Sequence, residues 1–370
     1  MNANTSRQDS AEWDQDAQLL SQTARDLPTG RHQFHRERMM AQIQQLQESQ
    51  QDERTTGTAT SRTRRLRLPR PAFALPALAA AVAVAAAVVA GVVMNDGGGV
   101  EDTGVATGPA LTTDFGTATT KGAPQLLDRI SLAAAEGGHP TVKPGQYIYV
   151  ESKTAGSFLK TVDDKTTLVG EELHRRQVWN SPDGTKGWLI DPAVNDSPEG
   201  ETLSLPDEQG NTPEQSLNHP SYDYLAKLTT DPDKLLSTIY KETEGQGNSP
   251  DQQAFATIGD LLGESYPPAE LYSALFRTAA KIPGVGVVED AVDAVGRHGV
   301  AVARLDETSG QREEWIFDRK THVFLGARIV QVKKNTGVDA LMKPGTVVHT
   351  SAVLNRAVVD GIKQTPSQAG

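Results

Sequence analysis

The 370-residue chain contains no cysteine, so whatever folds in it does so without disulfides, and zinc sites built on thiolates are excluded. That absence says nothing about compartment, because a domain of about 250 residues can be held by its core alone. Catalytic signatures are missing too: there is no Gly-x-Ser-x-Gly elbow and no His-Glu-x-x-His helix. Between residues 72 and 94 there is also no charge at all. The rest of the chain is organised around this last absence.

A helix rises about 1.5 Å per residue, so roughly 20 apolar residues cross a hydrocarbon core of about 30 Å. Residues 72–94 reach that length with eleven Ala, six Val and only Phe73, Leu75, Leu78 and Met94 as bulkier groups. Alanine adds little to insertion, so the span relies on valine and on its lack of charge. Pro76 lies near its start, where a missing N–H matters less. A buried Ala-rich core helix would usually carry a polar stripe, and a cleaved signal peptide would start far earlier with a shorter apolar run. The run therefore predicts one membrane-spanning helix, with the lipid bilayer as partner of residues 72–94.

Arg62, Arg64, Arg65, Arg67 and Arg70 precede the run, whereas no Lys or Arg follows it until Lys121. Positive charge stays inside, so residues 1–71 are expected in the cytoplasm and residues 95–370 outside. The arginine cluster needs no nucleic acid to explain it. The formal charge of −11 is uneven: residues 1–71 carry 11 basic and 9 acidic groups, net +2, and the remainder 25 and 38, net −13. An acidic outer part disfavours contact with anionic polymers.

The head, residues 1–71, is polar. Its best helix lies over residues 31–50, with Phe34, Met39, Ile43 and Leu46 forming a narrow apolar stripe too small for a core. The head reads either as a disordered tail that sets topology or as a segment that folds onto a cytoplasmic protein partner. His32 and His35 lie one turn apart, but with no cysteine and no nearby acidic pair they do not read as a metal site.

Beyond the run, residues 95–122 are Gly- and Thr-rich and read as a tether, residues 123–362 as an α+β domain, and residues 363–370 as a disordered tail. Spacing predicts a helix over 125–136, then strands over 146–150, 166–169, 173–179 and 187–190, with Ser181-Pro182-Asp183-Gly184 as a turn. Residues 191–219 read as a long surface loop. Helices follow over 232–241, 253–262 and 268–281, the first capped by Asp231 with Pro232 at its first position. The pattern then alternates as strands over 285–292, 300–305, 313–317, 323–332 and 346–358. Strands grouped after helices predict an antiparallel, curved sheet packed over helices.

The outer histidines His139, His174, His219, His298, His322 and His349 share no metal-ligand spacing. Gly284-Val285-Gly286 leads into a strand and lacks the helix N-terminus that a pyrophosphate needs. Ser157-Phe158-Leu159-Lys160 matches Ser-x-x-Lys in a stretch that reads as strand or loop, without its partner motifs. The pairs Asp163/Asp164, Glu171/Glu172 and Glu313/Glu314 would point to opposite faces of a strand and read as solvated edges. Tyr147, Tyr149, Tyr222 and Tyr224, with Trp179, Trp188 and Trp315, could line a cleft, although core packing is the simpler role. No catalytic, cofactor or metal residue is assigned.

Ser221-Tyr222-Asp223-Tyr224-Leu225, Leu228 through Asp231-Pro232-Asp233 to Leu235-Leu236, Leu271 to Pro283-Gly284-Val285, Asp293 through Gly296-Arg297 to Gly299-Val300-Ala301-Val302, and Ile316-Phe317-Asp318 to Phe324-Leu325-Gly326 stand out together. These stretches resemble an uncharacterised family of single-pass membrane proteins of high-GC Gram-positive bacteria. The resemblance implies a short cytoplasmic head, one span and an exported domain, and carries over no site. The layout also looks like that of transmembrane anti-sigma regulators, although the head has no recognisable zinc- or sigma-binding motif. Taken together, these features point to a membrane-anchored binding or sensing module and not to an enzyme. A hydrolase-like surface enzyme and an envelope-associated structural protein are the alternatives.

Overall fold

The computed structural model describes residues 105–137, 141–162, 165–195, 197–203 and 215–366, all within the unit Val82–Gly370. The head, the partner helix expected over 31–50 and the apolar run 72–94 lie outside the described residues. Among the described residues, no helix is long and apolar enough to cross a membrane.

Eleven strands form one antiparallel sheet: β1 (Thr107–Pro109), β2 (Tyr147–Val162), β3 (Lys165–Glu171), β4 (His174–Asn180), β5 (Gly187–Ile190), β6 (Glu201–Thr202), β7 (Gly286–Val292), β8 (His298–Leu305), β9 (Gln311–Phe317), β10 (Phe324–Gln331) and β11 (Val347–Val359). The main order is β6-β5-β4-β2-β11-β10-β9-β8-β7, and β3 joins β2 to β1. The C-terminal meander β7–β11 pairs neighbour to neighbour, through short turns from β7 to β10 and a longer link over residues 332–346 with a 3-10 turn at Gly337–Leu341. The return of β11 to lie beside β2 closes the sheet across nearly the whole domain. Bulges between Val288 and Ala291, at Ile329/Val330 and between Val353 and Asn355 each bend a strand and raise its twist.

Among the described residues, four of the five α-helices are α1 (Ala123–Glu136), α3 (Pro232–Glu242), α4 (Pro250–Glu264) and α5 (Ala269–Ala279); the short α2 (Tyr222–Leu225) was not anticipated and is capped by the Ser221 hydroxyl. The Asp231 carboxylate accepts from the Asp233 and Lys234 amides at 3.1 and 3.0 Å, the cap that its sequence predicts. On α5, Leu271, Leu275, Ala279, Tyr272 and Phe276 are all buried. They join residues of α1, α3 and α4 against one face of the sheet, where Val287, Val302, Trp315 and Phe317 complete the core. Phe255 of α4 stacks on Trp315 with centroids 3.8 Å apart and planes 8° from parallel.

That stacking needs a bare helix face beside it. A Cβ on Gly259 would meet Glu313 Oε1 and Trp315 Nε1 at 2.5 Å. Gly259→Ala should therefore cost about 1–3 kcal/mol by overpacking, despite alanine's better helix propensity. Denaturant unfolding monitored by tryptophan fluorescence checks this; an unchanged or raised midpoint would count against the packing argument.

Three expectations from the sequence need correction. The tether assigned to residues 95–122 does not extend to 122, because residues 105–122 belong to the fold. β1 pairs with β3, Thr112 bridges Thr346, and Thr119 bridges Val287. Edge pairing uses backbone groups, which a Thr- and Gly-rich stretch supplies without any apolar periodicity. The loop expected over 191–219 contains β6, and Leu217 within it is buried. In the tail expected over 363–370, the Gln364 carbonyl accepts from Trp179 Nε1 at 2.7 Å and Lys363 Nζ lies 4.6 Å from the Trp188 ring centroid.

Candidate functional site

The sheet face opposite the core helices carries a small apolar cluster of Val288, Ala291, Ala301, Ala303 and Ile316, with a charged group beside it. Arg312 Nε donates to Glu314 Oε1 at 2.7 Å, and its Nη2 lies 2.5 Å from the same oxygen. Arg328 Nε donates to Glu314 Oε2 at 2.7 Å from the neighbouring strand. Side chains at 312 and 314 alternate with Glu313 along β9, and Arg328 stands opposite Glu314 in the ladder, so register alone brings the three together. All three are buried, with Glu314 fully so. Two cations share one carboxylate.

Residues 105–119 form a strap over this group. The strap begins beside β3, the Leu111 amide then donates to Ser157 Oγ of β2 at 2.8 Å, Val347 N at the start of β11 donates to Leu111 O, and Thr113 N donates to Gly345 O just before β11, both at 2.9 Å. It crosses the triad: Arg328 Nη1 donates to Thr113 Oγ1 at 3.2 Å, Arg312 Nη1 donates to the Gly116 carbonyl at 2.9 Å, and the Phe115 ring lies 5.7 Å from the Arg312 guanidinium. It ends on the free edge of β7, where Thr119 and Val287 exchange both backbone bonds. Next to the triad, the strap, the sheet and the turn after β7 line an open pocket of about 240 Å³.

A second polar group lies on the opposite face. His174 Nδ1 is 3.0 Å from the Glu172 carbonyl, and its Nε2 is 3.3 Å from Asp191 Oδ1 and 3.0 Å from Thr154 Oγ1. Arg176 Nη1 donates to Asp191 Oδ2 at 2.6 Å. Burial alone would depress the His174 pKa, but the Asp191 hydrogen bond, the Glu172 carbonyl and the charges of Asp191 and Glu171 outweigh it and raise it. Burial likewise pushes Asp191 up, while His174 and Arg176 bring it down below the ordinary carboxylate range. Both partners therefore favour an imidazolium–carboxylate pair. A nucleophile activated by a His-Asp pair needs hydroxyl and carboxylate on opposite ring nitrogens. Here Thr154 and Asp191 share Nε2, so this group is an ion pair and not a catalytic relay. His349 also belongs here: burial, then the charges of Arg176 and His174, lower its pKa to about 4.

The structure separates the other residues singled out from the sequence. Glu313 and Glu314 do point to opposite faces, but neither is a solvated edge: Glu313 lies under α4 with Trp315 Nε1 donating to it at 2.9 Å, and Glu314 sits in the triad. The apolar run Trp315-Ile316-Phe317 that follows is the signal that this strand is covered on both faces. Glu171 is half-buried and Glu172 exposed, while Asp163/Asp164 and His139 lie outside the described residues. Ser157 and Lys160 stand on β2, three residues apart, hence on opposite faces. Tyr149, Trp179 and Trp315 are buried, whereas Tyr147 and Trp188 pack partly buried on the first two; Tyr222 and Tyr224 sit on α2, where the Tyr224 hydroxyl donates to Glu242 at 2.6 Å. His298 faces Asp290 on the surface, and His322 occupies a turn at φ 57°. Among the described residues, no three His, Asp or Glu side chains gather as a metal site. Compared with known proteins, the chain matches no family model and no curated protein.

Proposed function

We propose that this chain is a membrane-tethered extracytoplasmic binding or sensing module whose cytoplasmic head engages a protein partner through residues 31–50. The observation that carries the reading is the strap. The first described residues after the apolar run pair with β3, β11 and β7 and lie over the buried Arg312–Glu314–Arg328 group. Only residues 95–104 separate the end of the run from the strap, and ten residues fully extended reach at most about 35 Å. A change at the outer face of the sheet would therefore act on a short connection to the bilayer and not on a long slack linker. The curved sheet then serves as a rigid holder, and the strap is the element that a ligand would shift.

The test is affinity capture with the full chain from membranes of the native host, beside a chain lacking residues 31–50. The expected result is a cytoplasmic protein retained by the first and lost from the second. Recovery of no specific protein by either would sink the signalling role. Protease added to intact cells should cut the domain at residues 123–362 and spare the head; the reverse pattern would overturn the orientation.

A further inference from the structure

We infer that the outer-face pocket beside the strap is a binding site for a small organic carboxylate with a short apolar chain, seated on Arg328. The charge balance comes first. Arg312 and Arg328 together bring two positive charges to the one carboxylate of Glu314, all three being more than nine-tenths buried. Asp293, which lines the pocket, is already matched, held by Arg297 Nε at 2.6 Å and by the amides of Val295 and Arg297 at 3.0 and 2.9 Å. One guanidinium charge is left over in a desolvated place, where a missing counter-charge is costly.

Hydrogen bonding points to the same residue. Arg328 uses Nε on Glu314 and Nη1 on Thr113, while its Nη2 is buried without a hydrogen-bond partner among the described residues. Arg328 and Thr350, directly opposite each other in the β10–β11 ladder, both line the pocket. A guanidinium edge and a neighbouring hydroxyl are the donors a carboxylate takes. The remaining wall is apolar, with Leu111, Ala155, Leu173 and Val347. A pocket of about 240 Å³ matches roughly eight water volumes at about 30 Å³ each, so the ligand is of amino-acid size and its tail a few carbons long.

Residues 111–113 of the strap form part of this wall, and Thr113 shares the Arg328 guanidinium with the incoming anion. Occupancy would therefore change the grip on the strap at Thr113. This deepens the sensing role proposed above, and rests on it only for the consequence of binding, not for binding itself.

The full chain, purified in detergent, would be titrated with sodium hexanoate, 1-hexanol and inorganic phosphate, following thermal unfolding and heat of binding. The expected result is saturable binding of hexanoate alone. Arg328→Met leaves the neutral Arg312–Glu314 pair, so it should fold, and should weaken hexanoate at least tenfold. Thr350→Leu fills the pocket while leaving all three triad residues in place, and should weaken it similarly. Equal binding of hexanol, binding of phosphate alone, or hexanoate affinity unchanged in both variants would each overturn the assignment. Loss of hexanoate binding with the head still capturing its partner removes this site and leaves the module; the converse removes the signalling role and leaves the site.

Discussion

Glu314→Gln should lose about 3–5 kcal/mol of folding stability, measured by urea unfolding at pH 7, because it strands two buried guanidinium groups without a counter-charge. Glutamine keeps nearly the same shape and one acceptor oxygen, so the loss reports charge and not packing. The neighbouring Glu313→Gln is the control with the opposite expectation. Burial outweighs the Trp315 hydrogen bond and the Arg304 charge there, pushing the Glu313 pKa up to about 7, so at pH 7 the folded protein already holds this group about half protonated and a neutral glutamine should cost little or nothing. Two adjacent glutamates on one strand thus respond in opposite ways to the same substitution. If both variants unfold at the wild-type midpoint, the outer triad carries no structural charge and the strap over it loses its anchor.

The second large effect is hidden in the wild-type protein. Raising Glu313 from 4.5 to about 7 means that the folded state holds its proton longer than the unfolded chain. That contribution is fully present below pH 4.5 and is lost as pH rises through about 7, amounting to about 3 kcal/mol. His349 has the reverse sign. Its pKa falls from 6.5 to about 4, so the unfolded chain binds the proton first. Its contribution is fully present above pH 6.5 and is lost as pH falls towards 4, again by about 3 kcal/mol. The windows overlap and the slopes oppose, so stability between pH 4.5 and 6.5 should be nearly flat from these two groups. Each single variant uncovers the other term. Glu313→Gln should become steadily less stable on acidification, and His349→Gln steadily less stable towards neutrality. Unfolding midpoints taken at half-unit steps from pH 4.5 to 7 would show this crossing, and two parallel profiles would refute it.

Most of the element order was legible because it rests on local signals. The Asp231-Pro232 cap, the i, i+4, i+8 spacing of Leu271, Leu275 and Ala279, and the turns from β7 to β10 each act within a few residues. Those same signals gave an antiparallel sheet with helices, hence α+β. The strap was not legible. Its residues, Thr107, Thr112, Thr113 and Thr119 among them, are neither periodic nor apolar, and they become part of the fold only where β3, β11 and β7 offer unpaired backbone.

The triad divides the same way. Alternation along β9 placed Arg312 and Glu314 on one face and Glu313 on the other, and that much follows from a strand's two-residue period. Whether those faces met water depended on chain segments about 200 and about 60 residues earlier, the strap and α4, which cover them. Sequence alone determined the uncharged run 72–94, the charge asymmetry around it and the succession of helices and strands, since each is a property of neighbouring residues. Tertiary structure decided which charges are buried, which histidine pairs with Asp191, and that the stretch entering the domain crosses its outer face. Burial and long-range pairing depend on what the rest of the chain brings into contact, and no local pattern encodes that.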